Sequence, residues 1–206
     1  NNHRPMYLRT IYRFSIMCIL LFCKPALAQD VLSTDSLNFS LVNVDGQLVA
    51  LSQFPDAKGF MLVFTCNHCP FAKLYPERLN DLNHKYLSKG VPLIAVSSTD
   101  SVQYEEDGFV QMVKYSKKEK FSFPYLYDRK QQIAKSYRAQ KTPHAFLVWK
   151  ENGHLKIVYE GAIDDNGMHP SEVKQAYLSA AVDNMLAGKP VEIPHTKSVG
   201  CQIYFR

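Results

Sequence analysis

The sequence predicts an α/β domain, a mixed sheet covered by helices on both faces. Three observations predict it. Short apolar runs of strand length (Phe60–Thr65, Val91–Val96, Ala145–Trp149) alternate with stretches whose apolar residues recur at three- and four-residue steps. Turn signals such as Asp45-Gly46, Gly90 and Asn152-Gly153 separate these segments. The first run also drives straight into Cys66-Asn67-His68-Cys69, and a helical pattern follows at once.

In chain order, Phe39–Val44 and Gln47–Leu51 flank Asp45-Gly46 and predict a β-hairpin. Lys58-Gly59 leads into the buried-type strand Phe60–Thr65. From Cys69 the residues Phe71, Leu74, Tyr75, Leu79, Leu82 and Tyr86 mark one helical face, with Pro70 in the first turn. Pro76 interrupts that pattern and predicts a kink or a short break. After Gly90, Val91–Val96 is a second buried strand that ends in the polar loop Ser97–Asp100. A helix is expected over Glu106–Lys117 with Phe109, Val110 and Val113 inward, then an extended piece at Phe123–Asp128 and a helix over Gln131–Arg138. Thr142-Pro143 opens the hairpin of Ala145–Trp149 and Leu155–Tyr159; a proline there points to an edge position or a special X-Pro bond. Gly161–Gly167 reads as a loop, and Pro170-Ser171-Glu172 as the start of a last helix that ends at Gly188. Residues 189–206 form a tail containing Gly200-Cys201.

The N-terminus reads as a targeting segment. Arg4, Arg9 and Arg13 precede the apolar run Phe14–Phe22, and Ala26-Leu27-Ala28 has the small-x-small form of a cleavage site. The run is far short of the roughly 20 residues that span a bilayer. Export with cleavage after Ala28 is therefore expected, with residues 1–28 as signal peptide, residues 29–206 as the domain and no stable membrane anchor. A lipid anchor on Cys23 is disfavoured by the bulky Phe22 before it. Losing Arg4, Arg9, Arg13 and Lys24 leaves 20 basic against 19 acidic side chains. Most of the net charge of +5 thus belongs to the leader and gives no argument for nucleic acid as a partner. Cys18 and Cys23 leave as well, so the domain keeps Cys66, Cys69 and Cys201. One reactive pair plus one extra thiol is the economical reading of an odd number in an oxidising compartment.

Two sulfurs in Cys-x-x-Cys at a strand-to-helix junction can open and close a disulfide without unfolding the chain. Backbone N–H groups at a helix start favour the thiolate of Cys66. His68, between the sulfurs, is expected to lower the Cys66 pKa and make the couple more oxidising. A metal site is the competing reading, but one Cys-x-x-Cys is half of a zinc site and no second paired motif exists; no metal and no cofactor are expected. Cys201 is either a small apolar residue buried in a C-terminal strand or a third thiol that exchanges with Cys66 or Cys69.

Taken together, the strand, Cys-x-x-Cys, a further β-α unit, Thr-Pro opening a hairpin and a closing helix resemble the thioredoxin fold, from roughly Leu37 to Gly188. The hairpin over Leu41–Leu51 and the helix after Val96 are similar to the redoxin branch, the AhpC/TSA (peroxiredoxin) and TlpA/ResA-like proteins. Phe64–Pro70, Lys141-Thr142-Pro143, Gly161–Asn166 and Gly200-Cys201 resemble a peroxiredoxin-like group within it. The resemblance implies a three-layer sandwich, Cys66 as exposed attacking thiol, Cys69 as its resolving partner, and Pro143 in cis with Thr142 lining the substrate groove. The chain departs from true peroxiredoxins three and seven residues before Cys66, where Val63 and Gly59 replace the expected threonine and proline.

The reading that follows is an exported thiol-disulfide oxidoreductase. Its partners would be protein or small-molecule thiols and disulfides together with an electron donor. The alternatives are a thiol peroxidase, with Cys66 oxidised by peroxide and Cys69 or Cys201 resolving, and a non-enzymatic binding module on the same scaffold. Asp164 and Asp165 could assist proton transfer near the sulfurs, but a solvated acidic loop is the favoured reading; His144, directly after Pro143, is expected to line the substrate groove.

Overall fold

The computed structural model describes residues 37–206, so the expected signal peptide lies outside the described residues. Seven strands form one mixed sheet in the order β2-β1-β5-β4-β3-β7-β8. They are β1 (Ser40–Asn43), β2 (Leu48–Ala50), β3 (Gly59–Phe64), β4 (Leu93–Ser97), β5 (Tyr125–Tyr127), β7 (His144–Glu151) and β8 (His154–Gly161). The central pair β3 and β4 is parallel and wholly buried, as its unbroken apolar runs require. On one face, Met61, Val63, Leu93 and Ala95 pack with α1 (Pro76–Tyr86), with Met112 of α2 (Phe109–Lys118) and with α4 (Tyr177–Leu186). On the other, Phe60, Leu62, Phe64, Ile94 and Val96 pack with Ala134 and Tyr137 of α3 (Gln132–Tyr137). Among the described residues no helix is long and apolar enough to cross a membrane.

Several local expectations shift. Where a helix was expected from Cys69, a short 3-10 turn (Ala72–Leu74) comes first and α1 begins at Pro76. The proline read as an interruption is the helix's first residue, where its missing N–H costs nothing. In α2 the inward residue is Met112, whereas Val110 is 64% exposed. The last helix starts only at Tyr177, and Pro170–Glu172 is an isolated 3-10 turn. Gly59 has a packing cause: a Cβ there would lie 2.5 Å from the Trp149 ring and 2.6 Å from the Val148 carbonyl oxygen on the neighbouring strand β7.

Strand β6 (Lys141–Thr142) stands apart from the main sheet and pairs antiparallel with β9 (Cys201–Gln202), Thr142 opposite Cys201. The tail is therefore an ordered strap. Thr196 N–H donates to Glu160 O (3.0 Å), and Ile203, buried at 2% exposure, donates its N–H to Gln140 O (2.8 Å). Gln131 Nε2 donates to Tyr204 O (2.7 Å), and the Arg206 guanidinium pairs with the Asp100 carboxylate.

His144 is a buried residue of this framework and does not line a groove. It opposes Phe64 in the sheet, its ring sits 4.5 Å from that of Phe146, and its Nδ1 accepts the Gln140 N–H (3.3 Å). Burial lowers its pKa to about 4. The neutral form is favoured on folding, so its contribution is full above the unfolded value of about 6.5 and is lost as pH falls towards 4. Urea unfolding should show about 3 kcal/mol of stability disappearing through that window, at ~1.4 kcal/mol per unit. His144→Gln should flatten that part of the pH profile; an unchanged slope would remove His144 as its cause.

Candidate active site

The parallel strands β3, β4 and β5 end at one edge, where the loop after β3 carries Cys66-Asn67-His68-Cys69. Thr142, joined to Pro143 by a cis peptide bond, faces that loop from the start of the β7-β8 hairpin. Cys66 Sγ lies 3.1 Å from Thr142 Oγ1, and Cys69 Sγ lies 3.2 Å from Thr142 O. Cys69 is bonded to Cys201, 132 residues away, with a Cα–Cα distance of 5.9 Å, while Cys66 carries a free thiol. The Cys201 backbone N–H points at Cys69 Sγ (3.4 Å). Cys66, Cys69 and Cys201 share one small apolar cluster with Ala72.

The pairing within the Cys-x-x-Cys motif is thus not the one present in this structure. Its physical cause is the strap, because β6–β9 pairing sets Cys201 directly opposite Thr142 and so beside Cys69. Gly200 makes that approach feasible, since a Cβ at this position would overlap the Thr142 carbonyl. Cys201 is accordingly not a buried apolar residue: it is half-buried, and the tail folds back to bond it to Cys69, in line with the reading that it engages the motif.

Cys66 is not the exposed thiolate expected of it. It is 1% exposed, and its pKa is raised to about 11, first by burial and second by the nearby Asp107 carboxylate. The Thr142 hydroxyl, the Cys69 backbone N–H and the Thr99 hydroxyl oppose the rise without cancelling it. No helix dipole assists at close range, because α1 starts at Pro76, beyond the 3-10 turn.

Asp107 is the residue that sequence reasoning missed. Its carboxylate is fully buried, and Oδ1 accepts the backbone N–H groups of Asn67 (2.6 Å) and His68 (3.3 Å). Oδ2 meets His68 Nδ1 at 2.5 Å, and the His68 ring stacks on Tyr104 with centroids 3.9 Å apart. His68 stands beside the sulfurs as expected, but its ring nitrogen is engaged by Asp107. Asn67 is also structural: Nδ2 donates to Glu106 O (2.6 Å), and Oδ1 accepts from the Tyr125 hydroxyl (2.9 Å). Nothing in Tyr104-Glu105-Glu106-Asp107 separates the buried acid from its exposed neighbours, so no sequence signal singled it out.

Asp107→Asn should therefore lower the Cys66 pKa. The thiolate titration, followed by its ultraviolet absorbance, should move down from about 11. One unit of movement corresponds to about tenfold more thiolate at neutral pH. An unmoved titration would assign the whole rise to burial.

Among the described residues, Cys66, His68 and Asp107 bring ligand atoms within 4.8 Å of one another, the one trio near enough to share an ion. Their donors are already matched to each other: His68 Nδ1 bonds Asp107, and Cys66 faces Thr142.

Pro143 lines a cleft of about 460 Å³ rimmed by the exposed side chains of Phe71, Met168 and Val199. Thr142 itself is buried between the sulfurs. Asp164, taken from sequence for a solvated loop acid, is buried at 7% exposure. It accepts from Arg78 Nη1 (2.7 Å) and from the Tyr75 hydroxyl (3.1 Å).

Comparison with known proteins fits this arrangement. Residues 33–159 match the AhpC/TSA family, more than half of the chain. The chain belongs to the AhpC/TSA family. Among curated relatives, the thiol-disulfide oxidoreductase ResA of Oceanobacillus iheyensis is 29% identical over 120 residues. That match spans 58% of this chain and 58% of that relative's length. Among solved structures, an uncharacterized conserved protein from Geobacillus kaustophilus is 37% identical with a TM-score of 0.75, covering 82% of this chain and 89% of that one. A hypothetical protein from Sinorhizobium meliloti 1021 is 33% identical with a TM-score of 0.76, covering 85% and 94%. A putative thiol:disulfide interchange protein DsbE from Chlorobium tepidum shares the fold at 20% identity and a TM-score of 0.53, covering 73% and 92%. The thioredoxin-like sandwich expected from the sequence is therefore the fold this AhpC/TSA member adopts.

Proposed function

We propose that this AhpC/TSA protein is an exported thiol-disulfide oxidoreductase. The observation that carries the reading is the gathering of three sulfurs about Thr142, one pair bonded and one thiol free. In the reduced protein, the Cys66 thiolate attacks a substrate disulfide, one substrate thiol leaves, and a mixed disulfide forms on Cys66. Cys69 then attacks the Cys66 sulfur, releases the second thiol and leaves a Cys66–Cys69 disulfide. The reverse sequence oxidises a substrate dithiol. Pro143 would present the substrate chain from the adjoining cleft, with Thr142 beside the reacting sulfurs. His68, held by Asp107, would tune Cys66 through that pair.

Export is supported by the leader-like sequence of residues 1–28 and by the use of cysteine in a disulfide, which persists in oxidising compartments. Substrates would be protein or small-molecule thiols and disulfides, with an external electron donor and no resident cofactor.

Stopped-flow competition tests this against the peroxidase alternative. Fully reduced protein is mixed with a synthetic peptide disulfide or with hydrogen peroxide, and protein oxidation is followed by quenching and mass. The oxidoreductase reading expects the peptide disulfide to react faster at equal concentration, since Val63 and Gly59 stand where a peroxidase has its threonine and proline. Rapid oxidation of Cys66 at micromolar peroxide, with slow peptide reaction, would overturn it.

A further inference from the structure

We propose that the C-terminal strap is a redox-operated cover, released when the Cys69–Cys201 disulfide migrates to Cys66–Cys69. This rests on the oxidoreductase reading and adds to it a third catalytic sulfur, Cys201. In the step, the Cys66 thiolate attacks Cys69 Sγ, the Cys66–Cys69 bond forms, the Cys69–Cys201 bond breaks, and Cys201 leaves as a thiolate. The proton given up by Cys66 ends on Cys201. The chain holds one disulfide and one thiol before and after, so no outside oxidant or reductant enters.

The components lie together. Thr142 touches Cys66 through its hydroxyl and Cys69 through its carbonyl, so attacker and target share one short stretch of backbone. Cys66 and Cys69 are both buried, whereas Cys201 is half-exposed on a segment with little regular structure of its own. Once the disulfide is gone, the stretch around Cys201 keeps only the two-residue β6–β9 ladder. Its flanks stay anchored: Thr196 bonds Glu160, Ala162 and Tyr159, while Ile203 is buried in the core and bonds Gln140. Beyond it, Tyr204 and Arg206 bond Gln131, and Arg206 also bonds Asp100 and Lys135. The part that is released is the short span between Thr196 and Ile203. Between Thr196 and Ile203 the strap runs so close that a Cβ on Gly200 would overlap the Thr142 carbonyl and meet the Pro143 nitrogen. The docked strap therefore occupies the backbone edge of Thr142 next to the sulfurs. Its departure would free the Thr142 edge, which an extended peptide could then pair with. Migration thus couples two events, formation of the motif's own disulfide and uncovering of its edge.

The test uses the full domain carrying one disulfide and one thiol. It is held in an alkylating reagent without reductant, sampled over time, digested and mapped by mass. Alkylation traps whichever thiol is exposed, so migration is read as label accumulating on Cys201 together with a Cys66–Cys69 disulfide. Limited proteolysis of the same samples should show cleavage within residues 189–206 in step with that label. Label confined to Cys66, or a thiol that stays unlabelled while the Cys69–Cys201 bond persists, would overturn the migration. Cys201→Ser is the second variant: it should show the cut strap from the outset with the rest of the domain resistant. A strap as protected in Cys201→Ser as in the parent would remove the disulfide as its lock. The two readings separate cleanly. Reduced protein that reacts with the peptide disulfide but never labels on Cys201 retains the oxidoreductase reading without migration; failure of the peptide reaction removes both.

Discussion

Cys66→Ser should abolish exchange with the peptide disulfide, bringing it to the rate of the uncatalysed reaction, while leaving the fold and the Cys69–Cys201 bond in place. The expectation follows from the site's division of labour. In the proposed sequence Cys66 opens the attack and Cys69 acts only on the mixed disulfide that Cys66 carries, so the variant has no first step; in the oxidised form Cys69 is also tied to Cys201. Serine is nearly the size of cysteine, and at this position it can keep the contact with the Thr142 hydroxyl, which lies 3.1 Å from the sulfur it replaces. The thermal transition should therefore move little. The variant also separates the enzymatic readings from the binding module: a module working through its surface keeps its cellular phenotype with serine at position 66. Measuring exchange and phenotype on the same variant decides between them, and full activity of the serine form would end the redox account.

Arg78→Ala should cost about 3 kcal/mol or more of unfolding free energy, in the range found when one partner of a buried ion pair is removed. The guanidinium holds a loop as well as a charge. Nη1 donates to Asp164 Oδ2 (2.7 Å) and Asn166 O (3.0 Å), and Nη2 donates to Leu74 O (3.0 Å) and Gly167 O (2.5 Å). The side chain also lies over the Tyr75 ring at 3.9 Å. Its removal leaves the Asp164 carboxylate buried with only the Tyr75 hydroxyl and the Asn166 N–H, and three carbonyls lose a donor. Arg78→Lys should recover less than half of the loss, because one ammonium cannot span donors that the guanidinium serves in two directions. Denaturant unfolding checks both, and a loss under about 1 kcal/mol for alanine would place the pair with weak surface ion pairs.

Much of this was legible in the residues. Buried parallel strands read as unbroken apolar runs, and β3 and β4 are just that. Thr142-Pro143 before an apolar strand pointed to an edge position or a special bond, the family resemblance implied cis, and the cis peptide stands there beside both motif sulfurs. Long-range partnership was not legible. Asp107 looks like any acid in a run of three, and only packing shows that it sits under the Asn67 and His68 amides. Burial first, and the Asp107 carboxylate second, push the Cys66 thiol pKa up, opposite to the direction expected from His68. The strap was legible only in part. Cys201 could be read as a thiol that exchanges with the motif, but a two-residue strand leaves no periodicity, and nothing in the sequence places Gly200 against Thr142.

The measurement that tests the central claim most directly is a redox titration of the intact domain, with thiols alkylated at each poise and every disulfide mapped by mass. A disulfide that works in exchange should show a two-electron transition involving Cys69 at a potential above about −300 mV, the level below which structural disulfides of secreted proteins typically lie. The reduced limit should carry free Cys66, Cys69 and Cys201. A Cys69–Cys201 bond that stays oxidised far below that level, with Cys66 unchanged throughout, would make it a structural staple and contradict the account.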